Sequence, residues 1–135
     1  MNVVVDTNVL VSGLLTPSGP CGQIVGLLSE GLLLPCVDAR ILQEYERVLP
    51  RPLFQIDVED VLAILELVRS NAEVVEPMPL PVELPHASDV PFLEVAAHTA
   101  AILVAGNTRH FPGKARAGVT VASPKEFLEL LRHSS

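Results

Sequence analysis

The chain begins with a short apolar β-branched run, residues 2–5, that stops abruptly at Asp6. Such a run has no alternation of faces, so it fits a strand buried on both sides at the start of an α/β fold. A helical stretch follows over residues 7–14 and is broken by Thr16-Pro17-Ser18-Gly19. Pro20 then opens a second helix whose apolar face is Ile24, Val25, Leu27 and Leu28, and Gly31 stops it. Residues 32–36 read as a second strand, and Asp38 caps a helix running to about Leu49, where Pro50 and Pro52 end it. From Asp57 the spacing of Val58, Val61, Leu62, Leu65 and Val68 predicts a further helix.

Residues 72–75 are predicted as a third strand. The segment 76–88 holds four prolines and is read as a loop that crosses the domain. Ser88 is expected to cap a helix reaching Thr99, with strands at 101–104 and 119–122 and a loop at 105–118 between them. Ser123, Pro124 and Glu126 form a capping box for the last helix. Strands separated by helices predict one domain, residues 1–135, built as a three-layer α/β/α sandwich around a central, mainly parallel five-stranded sheet. Ligands of such sheets bind beyond the carboxyl ends of the strands, where strand order reverses.

Composition narrows the class of protein. Of 135 residues 49% are hydrophobic, which excludes a disordered tail, yet no apolar run approaches the length of a membrane span. No basic signal-like segment opens the chain, and the expectation is a soluble cytoplasmic protein without a membrane partner. Cys21 and Cys36 lack the spacing of a disulfide scaffold or zinc site and are read as small core residues. A net charge of −7 counts at first against a nucleic-acid partner.

The residues after the strands hold the candidate chemistry. Asp6 stands at the end of the first strand with Thr7 and Asn8 beside it, and its bland role would be to cap the next helix. Asn107 has the equivalent place after the fourth strand, where an ordinary turn residue would also serve. Glu44 falls beside the buried face of DARILQEYERVL, and Asp89 begins DVPFLEVAAHTA, where helix-dipole interaction is the simpler reading. Taken together, a strand-end Asp, a mid-helix Glu, a helix-start Asp and a second strand-end polar residue can converge on one rim. That cluster would repel itself unless divalent cations fill it, and oxygen-only donors select Mg²⁺ or Mn²⁺.

Four stretches in order, VVVDTNVLVSGLL, ILQEYERVLPRP, SDVPFLEVAAHTAAILVAGNTRHFP and VTVASPKEFLELL, cover essentially the whole chain. Together they resemble the PIN domain, a metal-dependent ribonuclease fold found in many prokaryotic toxins of the VapC-like kind. The resemblance implies hydrolysis of single-stranded RNA to 5′-phosphate products with one or two Mg²⁺ or Mn²⁺ ions. Asp6, Glu44 and Asp89 match the family's three acidic metal ligands, and Asn107 matches the place of a fourth acid, a departure that removes a charge. Ala105 stands where many members carry Thr or Ser. Thr7, Asn8 and Ser12 would orient Asp6 or its surroundings, and Glu94 is a candidate auxiliary carboxylate. An antitoxin protein and homodimerisation are further implications.

Substrate contact is expected from Arg109, His110, Lys114 and Arg116, the one local concentration of positive charge unmatched by acids. Residues 52–108, with nine acids and the single base Arg69, are not expected to line an RNA channel except at the metal. Two other classes compete: a PIN module with impaired catalysis that binds RNA or protein, motivated by Asn107 and Ala105, and a phosphoacceptor receiver-like domain. The last lacks an acceptor Asp after the third strand.

Overall fold

In the computed structural model, which describes residues 1–133, the first run forms strand β1 (Asn2–Val5), with Val3, Val4 and Val5 buried. Helices α1 (Thr7–Leu15) and α2 (Pro20–Ser29) follow. Their packing is close because Gly13 and Gly22 carry no side chain. A Cβ on Gly22 would stand 2.1 Å from the Pro17 carbonyl oxygen, and one on Gly13 2.6 Å from Val25 Cγ2.

Strand β2 (Leu34–Val37) leads into α3 (Ala39–Val48), capped as expected by Asp38, whose carboxylate accepts the Ile41 N–H at 2.9 Å. Helix α4 (Val58–Asn71) precedes β3 (Glu73–Val74), and after the proline-rich segment come α5 (Val90–Thr99) and β4 (Ile102–Val104). The chain then runs through β5 (Val121–Ala122) into α6 (Pro124–His133). The capping box forms in both directions: the Glu126 N–H donates to Ser123 Oγ at 3.1 Å and the Ser123 N–H to Glu126 Oε1 at 3.0 Å. Ser88 does not cap α5. It lies within a 3₁₀ turn, Ala87–Asp89, and α5 starts only at Val90 because Pro91 fits a first helical turn and no later one.

The five strands pair in the order β3-β2-β1-β4-β5, and every pairing is parallel. The six helices flank this sheet as an α/β sandwich. Helix α5 packs across β1, β2 and β4, α2 packs against α1 and α6, and α3 against α4. One continuous core joins the strand valines to Phe92, Phe111 and Phe127, and Cys36 is buried in it. Among the described residues no helix is long and apolar enough to cross a membrane.

β1 sits at the centre, with β2 on one side and β4 on the other. The crevice beyond the carboxyl ends of β1 and β4 is therefore the switch point of the sheet, and the Asp6 N–H donates across it to the Val104 carbonyl at 2.9 Å.

Candidate functional site

Three elements bring the acids to this crevice. Asp6 follows β1 directly and is the N-cap residue of α1, but its side chain makes no capping hydrogen bond. Helix α3 is tied to the same strand end by Tyr45, a buried residue whose hydroxyl donates to the Val5 carbonyl. That anchor sets the neighbouring Glu44 beside α1, where Thr7 Oγ1 donates to Glu44 Oε2. Asp89 arrives from the 3₁₀ turn before α5. Asp6, Glu44 and Asp89 thus line one cleft of about 240 Å³, together with Thr7, Asn8 and His110.

Burial makes these charges costly. Asp6 is 7% exposed, and its carboxyl is pushed up to about 6 by burial first, then by the charges of Asp89 and Glu44. The Thr7 backbone N–H and His110 offset this only in part. Asp89 is likewise raised above the usual carboxyl range by burial, against the pull of His110 and His86. Its buried Oδ2 lies 3.1 Å from His110 Nδ1, an ion pair when that imidazole is protonated, and among the described residues it accepts no other side-chain or backbone hydrogen bond. Glu44 is partly exposed, with Arg47 3.8 Å from Oε1.

Buried oxygen donors of this kind, with no arginine or lysine paired to Asp6 or Asp89 among the described residues, fit a hard divalent cation in type and charge. They line the cleft without converging on one point: among the described residues no three Asp, Glu, His or Cys side chains form a ready metal centre.

The other predicted residues divide. His110 lines the cleft, and its ring meets that of His86 with centroids 4.4 Å apart. Arg109 and Lys114 are exposed and do not line the cleft, and Arg116 is turned into its own loop, where Nε donates to the Phe111 carbonyl at 2.7 Å. Asn107 is exposed and outside the cleft. Its Oδ1 accepts the Arg109 N–H at 3.1 Å, so it caps a 3₁₀ turn as a short amide commonly does.

Ser12 is exposed on α1 and also stands away from the cleft. Glu94 is buried but faces a different neighbourhood: Oε1 pairs with Arg40 Nη1 at 2.9 Å and Oε2 accepts the Leu80 N–H at 2.8 Å. It fastens the proline-rich segment to α5 instead of supporting Asp6. Sequence reasoning missed Arg51, Phe54, His86 and Ser88, which line the cleft. The available signal was adjacency, since His86 and Ser88 precede Asp89, and Arg51 and Phe54 lie a few positions past the helix that carries Glu44.

An all-parallel sandwich with an acidic cleft at its switch point agrees with the likeness of this chain to known proteins. The PIN domain family model matches residues 2–109, and the chain belongs to that family. PIN domains are a nuclease-type fold that typically uses divalent metals. The structure is similar to a domain of a functionally unknown protein from Methanocaldococcus jannaschii DSM 2661, 18% identical over 90% of this chain and 89% of that one, with a TM-score of 0.54. Likeness at that identity shows the fold alone. No curated protein matches the chain.

Proposed function

We propose that this chain is a divalent-cation-dependent endoribonuclease that hydrolyses single-stranded RNA, with Asp6, Glu44 and Asp89 holding one or two Mg²⁺ or Mn²⁺ ions. The carrying observation is that the buried Asp6 and Asp89 share one cleft with no lysine or arginine paired to either among the described residues, the Asp6 carboxyl being held near 6 by burial and by its acidic neighbours. At neutral pH such a cluster keeps its charge at a cost that a bound cation removes.

When bound there, a divalent cation supplies the positive charge that polarises a phosphodiester and makes water nucleophilic. The chain's own residues do the rest. Thr7 holds Glu44 by its hydroxyl, Tyr45 fixes α3 against β1, and His110 flanks Asp89. No protein nucleophile is needed. Asn107 stands outside this scheme as a turn cap.

The family supports a wider setting: a single domain, in the cytoplasm, acting as the toxin of a toxin–antitoxin pair, with an antitoxin and a second copy of the chain as partners. The test is cleavage of single-stranded RNA by purified protein with Mg²⁺ or Mn²⁺ against a chelated control, comparing wild type with Asp6→Asn. Divalent-dependent products bearing 5′-phosphates that vanish in the variant are expected. No cleavage, or undiminished cleavage by Asp6→Asn, would overturn the reading. Growth arrest on expression, relieved by the product of an adjacent gene, would test the toxin role separately.

A further inference from the structure

Between α3 and α4 the chain makes a rigid step that presents two side chains to the acidic cleft. The Arg51 N–H donates to the Val48 carbonyl at 3.1 Å, and the Arg51 carbonyl accepts the Phe54 N–H at 3.1 Å. Pro52 keeps Arg51 extended, at φ −56° and ψ 127°, and closes a 3₁₀ turn, Pro52–Phe54, that Gln55 ends in the left-handed region at φ 53°. Arg51 immediately precedes this turn and Phe54 ends it. Both line the cleft with Asp6, Glu44 and Asp89.

Their side chains are unspent. Arg51 is exposed, and among the described residues its guanidinium has no ion pair or hydrogen bond, although Arg47, one turn earlier, is drawn to Glu44. Phe54 is half-buried, packed on the core from one side while lining the cleft. The basic loop at residues 109–116 that the charge pattern singled out gives the cleft only His110.

Resting on the ribonuclease reading for its choice of ligand, we infer that Arg51 and Phe54 are the substrate-holding wall of the cleft. Arg51 takes a backbone phosphate and Phe54 stacks on an adjacent unpaired base. A guanidinium fork matches phosphate oxygens in pairs, and an aromatic ring accepts any base with an exposed face. A duplex has no free base face to offer, so this wall selects single strands without selecting sequence.

The test is fluorescence anisotropy of the full chain with a labelled, short 2′-O-methyl RNA strand, Ca²⁺ replacing Mg²⁺, and the strand recovered intact on a gel. Arg51→Gln is expected to weaken binding about tenfold and to lower the salt slope by about 0.7, one phosphate's share on a single strand. Phe54→Leu, which keeps an apolar side chain at the core, is expected to weaken single-strand binding at least about fivefold with the salt slope unchanged and duplex binding unaltered. The paired Arg109→Gln and Lys114→Gln change should act less than Arg51→Gln alone. Wild-type-like binding by both Arg51→Gln and Phe54→Leu, or no strand binding by the wild type, would overturn the inference. Binding that depends on both residues, in a protein that cleaves nothing with Mg²⁺, would overturn the ribonuclease reading and leave this inference standing.

Discussion

Asp38 and Glu94 are as deeply buried as Asp6 and Asp89, each 5% exposed against 7% and 8%, and the two pairs are handled in opposite ways. Arg40 pairs with Asp38 at 2.6 Å and with Glu94 at 2.9 Å, and each carboxylate also receives a backbone N–H, from Ile41 and Leu80. In the cleft, among the described residues, no arginine or lysine pairs with Asp6 or Asp89, and the neighbour of Asp89 is the imidazole of His110, 3.1 Å from Oδ2. The fold therefore contains a built-in solution for buried acids and leaves it unused at the switch point of the sheet. A buried charge with its own counter-ion holds structure together, whereas one without is a place for a ligand of opposite sign.

The sharpest way to break this contrast is to neutralise one member of each group. Asp6→Asn should lower divalent-dependent cleavage at least about a hundredfold, since a cation's stabilisation of a transition state amounts to several kcal/mol. The same variant should leave the metal-free fold as stable as wild type or more so, because it removes a buried charge that has no counter-ion. Cleavage rates in Mg²⁺, together with urea unfolding in chelator, would check the pair. A large loss of stability in Asp6→Asn would mean that the cleft acids are structural after all.

Acidity sharpens the contrast next. The folded-state carboxyl of Asp6 lies at about 6, above its ordinary 3.8, so between those values the folded state holds more proton than the unfolded state. Stability of the metal-free protein should then fall as pH rises from about 4 to 6, by up to about 3 kcal/mol, and stay low above that. Asp89, also raised, acts in the same direction. Unfolding free energies across that window should show the slope in wild type and a shallower one in Asp6→Asn. Mg²⁺ should restore stability at pH 7, because it binds the folded state alone.

Helices, caps and sheet are largely legible in the amino-acid sequence, for local reasons. β1 is an uninterrupted β-branched run because both its faces are covered, and Asp38 and Ser123 announce their helices by side chains that satisfy the first free N–H groups. The three cleft acids are legible because Asp6 follows a strand, Glu44 lies in a helix whose face can be assigned, and Asp89 directly precedes a helix. Glu94 is not, since at 100° per residue it lies about 140° round from Asp89, and its partner Arg40 comes from another helix. Asn107 resembles a strand-end ligand, but a short amide there binds its own turn first. Arg51, Phe54 and His86 lie in proline-rich connections with no periodicity, so nothing in the chain marks the side to which they point.

Arg40→Met carries the comparison to the satisfied pair. Removing one partner of a fully buried ion pair costs about 3–5 kcal/mol; Arg40 is half-exposed and each carboxylate keeps its backbone donor, so about 2 kcal/mol is expected here. Urea unfolding would measure it, and the loss should be independent of divalent cation. A variant whose stability Mg²⁺ restores would show that the Arg40 cluster and the cleft are not separate.

The smallest expected effect is at Asn107, and it decides whether the missing fourth acid matters. An aspartate there would keep the turn cap, because the accepting atom at 3.1 Å from the Arg109 N–H is an oxygen in either side chain. Being exposed and outside the cleft, the added charge would act on a bound cation only through solvent. Asn107→Asp should therefore change the divalent affinity, read by calorimetry, and the cleavage rate by less than about twofold, within the weak range of exposed charges. Asn107→Ala loses the cap, a cost of about 0.5–1 kcal/mol, and through the loop that carries His110 it should disturb cleavage more than the aspartate does. A tenfold gain in metal affinity in Asn107→Asp would instead mean that the turn opens and the side chain swings into the cleft, making the cluster beside Asp6 a site of four ligands.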